Sequence, residues 1–308
     1  MPKLSFIIPT YNASSTLPRL LRTLLGQEEA DCEFLFGVEP SNDNSLIYLK
    51  EEEKRDSRIK VYENKTRLGP LMTRLSLIKE AKGDFIAFAD SDDYIDCSFS
   101  KRMLSYFDKD VDAVCSSFYI ERYGKRKKYP FSTRRVKELS RKQACKKLLM
   151  DISVRGFLVN KVFRKELFFS SSLLLLKGKG PFEDFPLVYS LFSKCKKVVL
   201  LPFPLYIYVK EGESMTSSLS INRAKRHLDS FALVKWGSIK LGEEYHKDFL
   251  SSYFRIKTSL AYDLSLSKKA GLTKEEEKEI KRKLRLLKEK DFSSLGEFSD
   301  SIFPLEHI

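Results

Sequence analysis

Phe85-Ile86-Ala87-Phe88-Ala89-Asp90-Ser91-Asp92-Asp93 is an apolar run that ends in three carboxylates. Its continuous hydrophobicity predicts a strand over Asp84 to Ala89 that is buried on both faces, as in a parallel sheet. Toward the N-terminus, Leu4 to Ile8 is a second such run and ends at Pro9. Leu17, Leu20, Leu21, Leu24 and Leu25 then recur at helical spacing, with Pro18 where a first-turn proline is tolerated and Ser14, Ser15 and Thr16 as candidate caps. Phe34 to Val38 and Ile59 to Tyr62 read as strands, and Ser45 to Lys54 and Leu71 to Ala81 as helices. Strands alternating with helices of this length predict right-handed crossovers and an α/β fold with a mostly parallel sheet flanked by helices. In such sheets ligands bind beyond the carboxyl ends of the strands. Pro9-Thr10-Tyr11-Asn12 and Asp90-Ser91-Asp92-Asp93 both fall there.

Beyond residue 110 the pattern loosens. Val111 to Tyr119 reads as a strand, Lys142 to Asp151 and Glu183 to Phe192 as helices, and Arg122 to Lys147 as a basic stretch. From about Asn222 the residues are helix-forming, with Leu228, Phe231, Leu233 and Val234 on one side and a charged run from Lys274 to Lys290. Residues 219–308 are therefore expected to be a helical appendage to a domain over 1–218.

The composition is that of a folded protein: 308 residues, 42% of them hydrophobic, can bury a core. Fifty-six Lys and Arg against 42 Asp and Glu leave a formal charge of +14, which favours anionic partners. Cys32, Cys97, Cys115, Cys145 and Cys195 are widely spaced with no CxxC pair, and are expected to be reduced and mostly buried. The N-terminal apolar stretch is too short for a signal peptide. The run from Val198 to Val209 is broken by Pro202 and Pro204 and falls short of the ~20 residues a spanning helix needs. A cytoplasmic protein is expected, with any membrane contact peripheral.

Carboxylates as close as Asp90, Asp92 and Asp93 repel one another unless a cation joins them. In an extended chain Asp90 and Asp92 point the same way, so a hard divalent ion, magnesium or manganese, could bridge them to a diphosphate. The plainer reading is an acidic turn, with Asp96 close behind, that caps a helix starting near Ser98. Position favours the site, because the cluster ends the fourth strand of an alternating sheet. Tyr94 and Ile95, which replace an Asp or Asn and the required glycine, argue against an EF-hand loop.

Ser5-Phe6-Ile7-Ile8-Pro9-Thr10-Tyr11-Asn12, followed some eighty residues on by Gly83-Asp84-Phe85-Ile86-Ala87-Phe88-Ala89-Asp90-Ser91-Asp92-Asp93, resembles the family 2 glycosyltransferases, in particular those of bacterial cell-envelope polysaccharides. The resemblance covers roughly residues 3 to 120 and, more loosely, 155 to 216. It implies a GT-A (Rossmann-like) fold, with the nucleotide-sugar half at about 1–115 and the acceptor half at about 116–218. It places Asp92 on the metal position, with Mn2+ or Mg2+ as cofactor, and Asp90 beside it. Pro9, Thr10, Tyr11, Asn12 and Ser91 fall on the nucleotide-sugar site, and Arg74 matches a basic residue that follows the Gly-rich turn, here Leu68-Gly69-Pro70. Where the family commonly carries two aspartates and a glycine, this chain has Val38-Glu39-Pro40-Ser41-Asn42-Asp43. Val38 occupies the position expected to contact the base, and Glu39 is expected to stand in for the acidic function. Uridine as the base is a family expectation.

Pro181-Phe182-Glu183-Asp184-Phe185-Pro186 follows Lys177-Gly178-Lys179-Gly180 and opens a helix. First-turn acids complement a helix dipole, so spacing alone leaves this pair open between capping and chemistry. The resemblance makes Asp184 the catalytic base of an inverting transfer from a nucleotide diphosphate sugar to a hydroxyl of a glycan or lipid-linked acceptor. Lys197 to Leu201, Pro204 to Tyr208 and Ser214-Met215-Thr216 resemble the closing strand and loop of envelope-polysaccharide members, with Tyr206 and Tyr208 more expected to pack than to bind. The basic residues from Arg122 to Lys147 either form a solvated face or lean on an anionic leaflet or a phosphate-bearing acceptor. Trp236, His227, His246 and His307 show no ligand spacing and are read as structural.

Three alternatives differ in class. A haloacid-dehalogenase-type phosphatase also uses Asp-x-Asp, but after its first strand. A nucleic-acid-binding protein would suit the charge but lacks a recognisable module, so no nucleic-acid partner is expected. A sugar-nucleotide binder without catalysis is motivated by Val38 and Pro40. P-loop and dinucleotide motifs are absent.

Overall fold

The computed structural model describes residues 3–28, 31–130, 133–151, 153–169, 173–176, 180–210, 220–289 and, for the backbone, 302–304. The first half follows the alternation: β1 Leu4–Thr10, α1 Leu17–Leu25, β2 Cys32–Val38, α2 Ser45–Arg55, β3 Ile59–Glu63, α3 Pro70–Glu80 and β4 Phe85–Phe88. There follow β5 Tyr94–Ile95, α4 Phe99–Leu104, β6 Val111–Arg122, β7 Lys125–Lys128, β8 Lys137–Ser140, α5 Arg141–Met150, β9 Lys161–Arg164, β10 Leu174–Leu176, α6 Asp184–Phe192 and β11 Lys197–Val209. The rest comprises α7 Arg223–Leu241, α8 Glu243–Ser251, α9 Tyr253–Lys269, α10 Lys274–Leu286 and β12 Ile302–Pro304.

Contacts divide the chain into two compact units, residues 1–140, 157–169 and 195–211, and residues 141–156, 170–194 and 212–308. This division does not run along the expected 1–218 and 219–308 boundary: α5, β10 and α6 cluster with the C-terminal helices.

The first unit holds a ten-stranded sheet of order β3-β2-β1-β4-β9-β6-β11-β5, with β7 on β6 and β8 on β11. The strands β3, β2, β1 and β4 are mutually parallel, and β9 runs antiparallel between β4 and β6. Leu4, Phe6, Ile7 and Ile8 are fully buried, as are Phe34, Leu35 and Phe36. That is what a strand covered by helices on both faces requires, and it is why these runs are apolar throughout rather than alternating. Gly37 has a packing reason, because a Cβ there would lie 2.4 Å from Thr73 Cγ2 on α3. The helix can therefore settle closely on the strand that carries Glu39. The two runs on either side of Pro202 form one strand, β11, whose pairing with β6 slips between Leu200 and Pro204 and again before Tyr206. Prolines lack the ladder N–H, so the strand adjusts its register around them and continues.

In the second unit the middle of α7 is buried on more than one side, with Ala224, Leu228, Phe231, Ala232, Leu233 and Val234 at 0–1% exposure, so its apolar surface is wider than expected. The short strand β12, paired antiparallel with β10, was not expected in a helical region. No helix among the described residues is long and apolar enough to cross a membrane.

Candidate active site

The ends of three adjacent parallel strands, β2, β1 and β4, bring Glu39, Pro9 to Asn12, and Asp90 to Asp93 to one edge of the sheet. After β4 the chain turns at once, with Asp93 N–H donating to Asp90 C=O. The turn is tied down from α1: Thr16 Oγ1 donates to Ser91 C=O at 2.8 Å and Arg19 to Asp92 C=O at 2.6 Å. Thr16, the N-cap of α1, thus spends its hydroxyl on the acidic turn and on Ala13 C=O rather than on its own helix. Asp96 accepts from Ser98 N–H at 2.9 Å in the turn ahead of α4, while the first-turn N–H of Ser100 is met by Gln27 Oε1 at 2.9 Å. Helix capping, the plainer reading of the acidic run, therefore has no side-chain bond behind it at α4.

Ligand oxygens of Asp90, Asp92 and Asp93 all lie within 4.8 Å of one another. Asp93 is fully buried, and its two oxygens accept from Tyr206 Oη at 2.6 Å and from Val209 N–H at 2.8 Å. Burial first, then the charges of Asp90 and Asp92, push its carboxyl well above the usual range, against those two bonds. Arg74, buried on α3, pairs with Asp90 at 2.6 Å. Asp92 is exposed as a residue, yet crowding around its carboxyl, followed by the charge of Asp90, pushes it up to about 6, with Arg19 and Arg74 pulling the other way. The cluster therefore concentrates negative charge that its arginines only partly offset. Asp93 being committed to the scaffold, Asp90 and Asp92 are the hard oxygen donors that fit a divalent cation.

Beside them, Glu39 is buried and accepts from Gly69 N–H and from Thr73 Oγ1 at 3.2 Å. Gly69 has φ 86, a left-handed conformation that glycine adopts without cost, and it presents its N–H as α3 begins. Arg67 lies 3.8 Å from Glu39 and its guanidinium covers the Tyr11 ring at 3.8 Å. Glu39 thus acts as an anchor between β2 and the Gly-rich turn. Asn12 has φ 48, a region that asparagine tolerates better than most residues. Next to it, Asp43 accepts from Ser14 N–H and Ser45 Oγ at 2.8 Å each and from Ser41 Oγ at 2.9 Å. Burial acts to raise the Asp43 pKa, but these bonds together outweigh it and hold the carboxyl well below its usual range. Asp43 had a sequence signal, an acid two residues before a helix-opening serine. Tyr206, Arg19 and the scaffold role of Asp93 had none, because their partners are distant in sequence.

Asp184 is not brought to this edge by the sheet; it lies in the second unit as the first residue of α6. Glu183, its N-cap neighbour, is buried and makes no side-chain cap bond. Phe182 has φ 71 and its ring stacks on His227 with centroids 3.9 Å apart and planes within 4°. His227 Nδ1 meets Asp263 at 2.5 Å, and Arg223 also bonds Asp263. His227 thus belongs to a buried polar network. Lys177, Gly178 and Lys179, the loop at Ser214-Met215-Thr216, and His307 lie outside the described residues.

The Glycosyl transferase family 2 profile matches residues 5–168. The uncharacterized glycosyltransferase EpsJ of Bacillus subtilis is 27% identical over 70% of this chain, which spans only 63% of EpsJ. The GalNAc(5)-diNAcBac-PP-undecaprenol beta-1,3-glucosyltransferase of Campylobacter jejuni is 26% identical over 87% of this chain and 84% of its own. The cholesterol galactosyltransferase of Borreliella burgdorferi is 28% identical over 85% and 76%. Among solved structures, S. aureus TarS in complex with UDP superposes with a TM-score of 0.72 at 18% identity, over 92% of this chain and 80% of that one, which shows the shared GT-A fold.

Proposed function

The chain belongs to glycosyl transferase family 2, and on that premise we propose that it transfers a sugar from a UDP-sugar to a hydroxyl of a glycan or lipid-linked acceptor, with inversion. The observation that carries this reading is the carboxylate cluster at the end of β4, held by main-chain bonds to α1 and by the ion pair with Arg74. Asp92, with Asp90 beside it, would hold Mn2+ or Mg2+, which supplies electrostatic stabilisation for a departing diphosphate. Pro9 to Asn12, Glu39 and Ser91 would shape the nucleotide-sugar pocket. In that role Tyr11 offers an aromatic face beside Arg67 while Glu39 fixes the turn that starts α3. Uridine is supported by the UDP-bound structural neighbour, and a lipid-borne acceptor by the names of the relatives.

An acceptor hydroxyl is a poor nucleophile, so a carboxylate must take its proton as the oxygen attacks the anomeric carbon. Asp184 is assigned that role. The new glycosidic bond forms as the bond to the diphosphate breaks, and the proton ends on the Asp184 carboxyl. A single displacement of this kind inverts the anomeric carbon.

Calorimetric titration with UDP, GDP and CMP, each with and without manganese, tests the donor site on the protein and on Asp92→Ala. UDP is expected to bind only with manganese and not to the variant. UDP binding indifferent to both would overturn the metal assignment, and a folded protein that binds none of the three would overturn the reading as a whole.

A further inference from the structure

We propose that the β6–β7 hairpin is a docking element for an anionic lipid surface, with Tyr123 as its interfacial tip. The two strands pair antiparallel as Tyr119 with Lys128, Ile120 with Lys127, Glu121 with Arg126 and Arg122 with Lys125. Directly opposed residues share a face and side chains alternate along each strand. One face therefore carries Ile120, Arg122, Lys125 and Lys127, and the other Tyr119, Glu121, Arg126 and Lys128. The two faces differ in what they do. On the second, Arg126 pairs with Glu121 at 2.7 Å and Lys128 donates to Pro202 C=O at 2.8 Å. On the first, Arg122, Lys125 and Lys127 are exposed and make no ion pair among the described residues.

The turn between the strands is Tyr123-Gly124, with φ 49 and 72. Both central residues are left-handed, the geometry for which two-residue hairpins favour Asn-Gly or Asp-Gly. A bulky aromatic at that place is an outlier, and Tyr123 is 89% exposed. Lysines on an outer strand alone have a sufficient explanation, since they discourage edge-to-edge pairing. They do not explain an aromatic ring held out at the tip at a cost in backbone strain. An amphipathic ring flanked by three exposed cations has the chemistry of a membrane interface, where tyrosine sits at headgroup level and Lys and Arg meet anionic lipid. Nucleic acid is less well served, because the tip presents a single ring and no succession of aromatic faces on which bases could stack.

The hairpin is also coupled to the acidic turn. Tyr94, which follows Asp93, bonds Glu121, and Glu121 C=O accepts from Lys210 N–H, one residue beyond the Val209 that bonds Asp93. A hairpin seated on lipid would therefore hold the donor site beside the membrane. Only this consequence rests on the proposed function, since docking itself requires no transfer chemistry.

Sedimentation with vesicles of phosphatidylcholine, with and without phosphatidylglycerol, tests the proposal. The protein is expected to sediment with the anionic vesicles only, and less at high salt. Lys125→Gln with Lys127→Gln should weaken binding about thirtyfold, two cations being removed from the surface. Tyr123→Asn suits the turn better and should weaken binding without lowering the melting temperature. Undiminished sedimentation of the double variant would overturn the proposal. So would failure of the unaltered protein to bind anionic vesicles, whether or not it binds duplex DNA. UDP titration of the double variant keeps the two readings apart. Lost vesicle binding with UDP affinity retained supports docking, whereas absence of UDP binding in all forms counts against the proposed function alone.

Discussion

Asp90, Asp92 and Asp93 close a buried strand, whereas Glu183 and Asp184 open a helix, and the two acidic groups are held by different means. The first is fixed by groups far away in the sequence: Thr16 and Arg19 on α1, Arg74 on α3, and Tyr206 and Val209 on β11. The second follows a strained residue, Phe182, whose ring is clamped by His227. A left-handed phenylalanine costs about 1–3 kcal/mol and persists only where its surroundings insist on it. A sheet end gathers side chains because parallel strands terminate together. A helix start gathers few, so its acids depend on the turn that leads in.

If the first group binds and the second reacts, Asp184→Asn should lower the transfer rate by about 10²–10⁴ and leave manganese-dependent UDP binding unchanged. Single-turnover rates alongside calorimetry check this, and an equal loss of binding would break the distinction. If Asp93 is scaffold, Tyr206→Phe should cost about 1–3 kcal/mol in urea unfolding with little change in m, because a buried carboxylate loses a donor. A fully stable variant would return Asp93 to the ligand set.

The clamp is sharpened by pH. Burial lowers the His227 pKa below its ordinary 6.5, although the bond to Asp263 pulls upward and Arg255 and Arg223 push down. The unfolded chain then binds a proton that the folded one refuses, so stability is complete above about 6.5 and falls as pH drops toward the lowered native value. In His227→Phe, which keeps a ring against Phe182, this part of the slope should vanish; a slope identical to that of the original protein would show that His227 does not carry it. The smallest effect is chemical. Burial pushes Cys115 on β6 up to about 11 and Cys145 on α5 up to about 12, while Cys97 is exposed. Cys97 is expected to react first with a thiol reagent, and labelling of Cys115 and Cys145 then reports the opening of the first and second unit separately.

The basic stretch shows how far a linear reading reaches. Arg122 to Lys147 is one run of charge in the sequence, but the units divide it. In the second unit Lys142 and Lys146 of α5 pair with Glu244 and with Asp248 at 2.9 Å, while in the first Lys125 and Lys127 are exposed and make no ion pair among the described residues. Charge could be counted from composition, and its neutralisation could not.

By itself the sequence determined the alternating strands and helices, the parallel order's placement of Asp90 to Asp92 at a strand end, and the family. Each of these follows from local periodicity, from residues adjacent along the chain, or from motif spacing. Only the tertiary structure decided that Glu39 anchors the Gly-rich turn, that Asp93 is bound to Tyr206 and Val209, that Phe182 rests on His227, and that α5, β10 and α6 group with the C-terminal helices. Those outcomes depend on which distant groups come within hydrogen-bonding or stacking reach, and buried polar groups must find such partners wherever folding places them.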